Sequence, residues 1–166
     1  MSKVEQIRKK ILDPQELIIQ LDDWRKQGLK TVFTNGCFDI LHLGHADYLA
    51  RAAELGDVLI VGLNSDASIS RLKGPNRPIC DQSSRSFLLA SLAVVDGVVI
   101  FDEDTPENLI RIVKPDFLVK GGDYTPKDIL GAGFVESYGG SVVCIPLVDG
   151  YSTSSIESRI RNNSGK

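Results

Sequence analysis

The chain has 166 residues, 42% of them hydrophobic and 25% charged, and its 19 Lys+Arg against 22 Asp+Glu leave a net charge of −3. This is the make-up of one globular domain, long enough to bury roughly 70% of its unfolded surface without disulfides or a structural metal, and it excludes disorder, collagen and coiled coil. No basic excess is present to support wholesale nucleic-acid binding, although a local phosphate site needs only a few cations.

Taken in order, short apolar runs alternate with helical segments. Asp13-Pro14 reads as a cap with proline at the first helical position, and Leu17, Ile18, Leu21 and Trp24 recur at helical spacing up to Gly28. A strand over 31–34 ends in Asn35-Gly36, and a helix over about 44–55 places Tyr48, Leu49, Ala52 and Ala53 on one side. The run 58–63 is continuously apolar, the pattern of a parallel strand buried on both faces. A short helix to about Arg71 is followed by a loop over 72–78, rich in glycine and proline.

Residues 82–92 read as helix and 98–101 as strand. A helix from Thr105-Pro106-Glu107 must stop before Pro115. A fourth strand over 117–119, partial helix over 131–138, a fifth strand over 142–145 and a last helix capped from Ser152-Thr-Ser-Ser155 complete the chain. This alternation predicts one α/β domain: a five-stranded parallel sheet with helices on both faces, a catalytic core over 29–166 and a helical extension over 1–28. In such sheets ligands bind beyond the carboxyl ends of the strands, which directs attention to the segments after each strand.

Residues 1–10 carry charge with no apolar segment behind them, unlike a secretory signal. No run approaches the ~18 apolar residues of a membrane span, so no membrane partner is expected. The three cysteines, Cys37, Cys80 and Cys144, form no CxxC pair, which argues against disulfides or zinc and for a reduced cytoplasm.

Both histidines of the chain lie in His42-Leu-Gly-His45, after the first strand and at a helix mouth. A helix N-terminus attracts phosphate through its unpaired N–H groups, and Gly44 clears a side chain where phosphate would approach. Two imidazoles there can donate hydrogen bonds to phosphoryl oxygens as charge builds in a transition state. The plainer alternatives are a pair of histidines capping the helix or binding a metal.

The run Thr34-Asn-Gly-Cys-Phe-Asp-Ile-Leu-His-Leu-Gly-His45 resembles the first signature of the HxGH nucleotidyltransferases, and Gly150-Tyr-Ser-Thr-Ser-Ser-Ile156 resembles their second. Within that superfamily, 64–78, Glu103-Asp-Thr-Pro106, 118–124 and Asp149-Gly150 are similar to the bacterial heptose 1-phosphate adenylyltransferases, in their stand-alone form. The resemblance implies a Rossmann-like domain that joins ATP and D-glycero-D-manno-heptose 1-phosphate, releasing ADP-heptose and pyrophosphate toward lipopolysaccharide core. Leu147-Val148 replaces the Arg-Thr pair usual in cytidylyltransferases, and Lys120-Gly-Gly-Asp123 replaces their Gly-Asp-Asp, which counts against cytosine. Ser86 departs from the apolar residue more usual after Arg85.

By this resemblance His42, His45 and Lys73 are catalytic. His42 and His45 would contact the ATP phosphates, and Lys73 would bridge the attacking and leaving phosphates, unless it is a solvated surface lysine. Cys37, Phe38, Gly44, Ser152, Thr153 and Ser154 would bind the nucleotide, with one of the hydroxyls doubling as an N-cap. Asp39, Asn64, Arg85, Lys120 and Asp123 are the candidates for the acceptor side. Lys120 would hold the sugar phosphate, and Asp123 a sugar hydroxyl or the ATP-bound magnesium, if they are not simply turn residues. Asp39 is expected to fix its loop rather than act as a base, and Arg77 and Arg85 are weaker candidates because lone arginines usually form surface ion pairs.

Mg²⁺ is expected to arrive with ATP, with no resident protein metal site. A homodimer and a functional link to a sugar kinase are compatible with the family. Competing readings are a cytidylyltransferase for glycerol 3-phosphate, an FAD-forming adenylyltransferase and a nucleotide-sensing module without catalysis.

Overall fold

The computed structural model describes residues 1–122, 125 and 128–163. The order of elements is α1 (Lys3–Arg8), β1 (Ile11–Leu12), α2 (Pro14–Lys26), β2 (Thr31–Gly36), α3 (Leu43–Ala53), β3 (Val58–Asn64), α4 (Asp66–Lys73), α5 (Gln82–Ser91), β4 (Gly97–Phe101), α6 (Glu107–Val113), β5 (Phe117–Gly121), α7 (Ala132–Ser137), β6 (Ser141–Ile145) and α8 (Thr153–Asn163). All strand pairs are parallel, in the order β1-β4-β3-β2-β5-β6. Starting from β2, the chain builds one side of the sheet through β3 and β4, then crosses to the other side for β5 and β6. The ends of β2 and β5 therefore flank the switch point, where open α/β sheets bind ligands.

The sheet has six strands rather than five. Ile11 and Leu12 pair with Val98 and Val99 at the edge of the sheet, and the Lys10 ammonium donates to the carbonyls of Val95 (2.7 Å) and Leu92 (3.3 Å). Two residues are too few to display an alternation, so the sequence pattern misses this strand. The N-terminal segment is thus part of the sheet and more than an external helix. Its helix α2 begins as read: the Asp13 carboxylate accepts from the N–H groups of Gln15 and Glu16, and Glu16 accepts from Asp13 N–H. Leu17 and Leu21 are buried on it, whereas Ile18 faces solvent at 57% exposure.

Alternate residues of each central strand feed opposite cores, as the period of two requires. Phe33, Ile60, Val99 and Leu118 enter the layer beneath α2, α6 and α7. Val32, Leu59, Val61, Val98 and Val119 enter the layer containing Leu49 of α3 and Leu89 of α5. All seven residues of β3 are buried. Gly62 within it is required by close approach, because a Cβ there would lie 2.8 Å from the Phe33 ring. Among the described residues no helix is long and apolar enough to cross a membrane.

Candidate active site

At the end of β2 the chain turns sharply. Phe38 takes φ 45, in the left-handed region that bulky residues avoid, and its ring packs edge-on against His45 with centroids 5.1 Å apart. His42 is the N-cap of α3 but makes no side-chain capping bond. It stacks instead on His45, the centroids 3.8 Å apart and the planes at 19°. A Cβ on Gly44 would meet the His42 ring at 3.0 Å and the Tyr151 Cβ at 3.3 Å. Gly44 is therefore needed to seat His42 and Tyr151, whatever its backbone N–H does toward a phosphate.

The Nδ1 atoms of His42 and His45 are buried and have no hydrogen-bond partner among the described residues. Buried polar atoms in that state are rare, and a catalytic role or a bound water or ion is among the usual reasons for them. Burial lowers the pKa of His42. Burial also pushes His45 down to about 4, helped by the charges of His42 and Lys73 and opposed by a hydrogen bond from the ring to the Ile40 backbone. Both imidazoles are consequently neutral at physiological pH and can donate N–H bonds without carrying charge.

This has a consequence for stability. The unfolded chain takes up a proton near pH 6.5 that folded His45 refuses until about pH 4. The folded state binds fewer protons in that window, so stability is complete above it and falls as the pH drops through it. Urea midpoints measured at several pH values should show this decline, and His45→Gln should flatten it relative to the wild type.

A cavity of about 180 Å³ opens beside these rings, at the carboxyl ends of β2 and β5. Of the residues singled out in the sequence, Cys37, Phe38, Asp39, His45, Lys73, Lys120 and Thr153 line it. Lys73 is the last residue of α4 and not part of the following loop, which begins at Gly74 with φ 97. Lys120 leaves the end of β5 half-buried, and its ammonium lies 3.4 Å from Asn35 Oδ1. Burial lowers its pKa, partly offset by Cys37. Ser152 caps α8 by accepting from Ser155 N–H at 3.1 Å, and its Oγ lies 3.0 Å from that of Ser154.

Three acceptor-side candidates are engaged within the protein. Arg85 is 1% exposed. Its guanidinium donates to the carbonyls of Cys80 (2.9 Å), Cys37 (2.7 Å) and Asn64 (2.9 Å) and to the Asp66 carboxylate (2.6 Å). The expected substrate contact, like the expected surface ion pair, is replaced by an internal tie between the ends of β2 and β3. The Asn64 amide donates to Ser68 Oγ at 3.0 Å behind the cavity, and the residue is 5% exposed.

Asp39, 4% exposed, accepts from the N–H groups of Ile79 and Cys80 and from Arg77. Burial raises its pKa, but those donors outweigh it and hold the carboxyl below the ordinary range. Asp39 is accordingly a loop anchor. Asp123 lies outside the described residues. The sequence reading missed Asn35 and Tyr48 as cavity residues; the position of Asn35 at a strand end was the available signal. The phenol of Tyr48 shares a 2.6 Å hydrogen bond with Thr34.

The switch point of this parallel α/β sheet brings together paired histidines, two lysines and a helix start, groups whose chemistry suits phosphate. Residues 33–157 match the cytidylyltransferase-like family model, and the chain belongs to that family of HxGH nucleotidyltransferases. It is a nucleotidyltransferase enzyme.

The bifunctional protein HldE of Syntrophotalea carbinolica is 59% identical over 136 residues, covering 82% of this chain and 28% of that protein. That of Nitratiruptor sp. is 57% identical over 152 residues, covering 92% and 32%. The chain thus spans about a third of the length of these relatives. Among solved structures, the lipopolysaccharide core biosynthesis protein from Thermoplasma volcanium is 34% identical with a TM-score of 0.59, covering 75% of this chain and all of that one. A pantoate-beta-alanine ligase from Francisella tularensis, at 17% identity and TM-score 0.59 over 91% of this chain and 76% of its own, shares the fold.

Proposed function

We propose that this chain transfers the adenylyl group of ATP to D-glycero-D-manno-heptose 1-phosphate, forming ADP-heptose and pyrophosphate. The observation that carries the reading is the convergence on one cavity of His45, Lys73, Lys120 and Thr153, beside the paired rings of His42 and His45. A phosphate oxygen of the sugar attacks the α-phosphorus of ATP. The bond from that phosphorus to the bridging oxygen breaks, and its electron pair leaves with pyrophosphate. The attacking phosphate is already anionic near neutral pH, so no general base is needed. Positioning and charge stabilisation supply the catalysis.

In this reading His42 and His45 donate hydrogen bonds to the phosphoryl oxygens. Lys73 spans attacking and leaving groups as a mobile point charge, and Lys120 receives the acceptor phosphate. The hydroxyls at the start of α8 hold the outer ATP phosphates. Mg²⁺ would travel with the triphosphate. Mg²⁺ dehydrates reluctantly and is usually held through substrate phosphates, so phosphate and water oxygens would be its main ligands.

The heptose assignment is supported by the similarity to the HldE proteins and to the lipopolysaccharide core biosynthesis protein. A sugar kinase would supply the acceptor. The test is incubation with ATP, Mg²⁺ and a panel of sugar 1-phosphates, with pyrophosphate quantified and the product identified by mass spectrometry. ADP-heptose is the expected product. A preference for CTP, or ATP binding without turnover, would replace this reading with a cytidylyltransferase or a sensing module.

Lys73→Ala should lower kcat by about 10- to 100-fold while changing the ATP Kd much less, because its charge matters most as the transferring phosphoryl group becomes most anionic. Equal losses in single-turnover rate and in calorimetric Kd would make it a uniform binding residue.

A further inference from the structure

One guanidinium joins three separately built parts of this site. The Nη1 of Arg77 donates to Asp39 Oδ2 at 2.8 Å, in the loop that leads to the paired histidines. The Nη2 donates to the carboxylate of Glu157 on α8. The Arg77 backbone is tied to the end of α4: its N–H donates to the Gly74 carbonyl at 3.1 Å, and its own carbonyl accepts from Ser70 Oγ at 2.5 Å. Lys73 ends that helix.

Helix α8 has no buried residue among those described, so apolar packing holds it only weakly and its polar ties matter correspondingly more. Glu157 lies four residues after Thr153 and therefore on the same helix face. Drawing Glu157 inward turns Thr153 toward the cavity that it lines. The side chains of Arg77 and Glu157 are 22% and 18% exposed and that of Asp39 3%, so this pair of ion contacts is shielded more than a surface salt bridge.

We propose that Arg77, anchored by Glu157, is a positioning residue for the transfer reaction. It sets the hydroxyl-bearing start of α8 and the lysine-bearing end of α4 at fixed spacing from the histidine loop. Arginine suits this role, because its planar guanidinium presents separate Nη donors to the two carboxylates in fixed directions, whereas a lysine ammonium is a compact charge on a flexible stem that does not fix their spacing. The proposal rests on the adenylyl-transfer reading and adds two residues, Arg77 and Glu157, neither of which is assigned a contact with substrate.

The test compares Glu157→Ala, Glu157→Gln and Arg77→Lys with the wild type in steady-state pyrophosphate release, calorimetric ATP binding and thermal melting. Glu157→Ala and Arg77→Lys are expected to raise the ATP KM and Kd and to lower kcat, each by about tenfold, the scale of a small misplacement of the α8 hydroxyls and of Lys73. The acceptor KM should stay unchanged and the melting temperature should stay close to wild type. Glu157→Gln keeps an acceptor oxygen and should recover part of the loss. Wild-type ATP affinity together with wild-type kcat in both Glu157→Ala and Arg77→Lys overturns the proposal, as does a loss that appears only as a lower melting temperature. If Glu157→Ala does not fold, Glu157→Gln and Arg77→Lys decide the matter. A wild type that binds ATP but adenylylates no acceptor overturns the functional reading instead, while the calorimetric comparison still tests the clamp.

Discussion

His45→Ala is expected to lower kcat by about 10²- to 10³-fold without unfolding the protein, the loss typical of removing one donor aimed at developing charge. The ring is held on two sides, by the stack with His42 and by the edge of Phe38, so its direction into the cavity is set before any ligand arrives. With its pKa pushed down to about 4, it is a neutral donor across the physiological range. Its contribution therefore depends on geometry and should not titrate between neutral and mildly alkaline pH. His45→Phe, which restores the ring packing but not the nitrogen, should be as slow as His45→Ala. Pyrophosphate-release kinetics on both variants, with melting curves as the control, make the comparison. A phenylalanine variant with wild-type kcat would reduce His45 to packing.

Arg85→Ala should destabilise the fold by about 3–5 kcal/mol, because it removes one partner from a buried charged network. Three carbonyls lose their donor in that change, those of Cys37, Asn64 and Cys80. Two of them belong to the ends of β2 and β3 or the turn just after. Asp66, at 38% side-chain exposure, can recover water, so the carbonyls and the vacated volume dominate the cost. Denaturant midpoints give the measurement, and a fall in melting temperature of roughly 10 °C should accompany it. Were Arg85 a substrate contact, the same variant would keep its stability and lose acceptor binding. The two roles are thus separated by one pair of experiments.

The contrast between these two residues shows how far the sequence could be read. His42 and His45 lie within four positions of each other at a strand-to-helix junction, and their neighbourhood follows from local chain geometry. Arg85 and Asn64 lie 21 residues apart, yet their hydrogen bond depends on α5 packing beside the ends of two adjacent strands. Nothing near Arg85 in the chain distinguishes it from an exposed arginine. Asp39 lies between these cases: its loop-fixing role was legible, but its partners Ile79 and Cys80, 40 and 41 residues away, were not.

Local pattern determined the parallel α/β class, the five longer strands, the Asp13 cap of α2 and the placement of the histidine pair at a helix mouth. These depend on side-chain period, on φ restriction at proline and on capping chemistry, all of which act within a few residues. Only the tertiary structure decided that Ile11–Leu12 adds a sixth strand, that a side chain at Gly44 would collide with the His42 ring, and that Arg77 reaches a glutamate 80 residues further on. The physical reason is the same in each case. A two-residue strand, a missing Cβ and a single guanidinium carry no periodic signal of their own. Their roles are set by what the crossovers of the sheet bring against them.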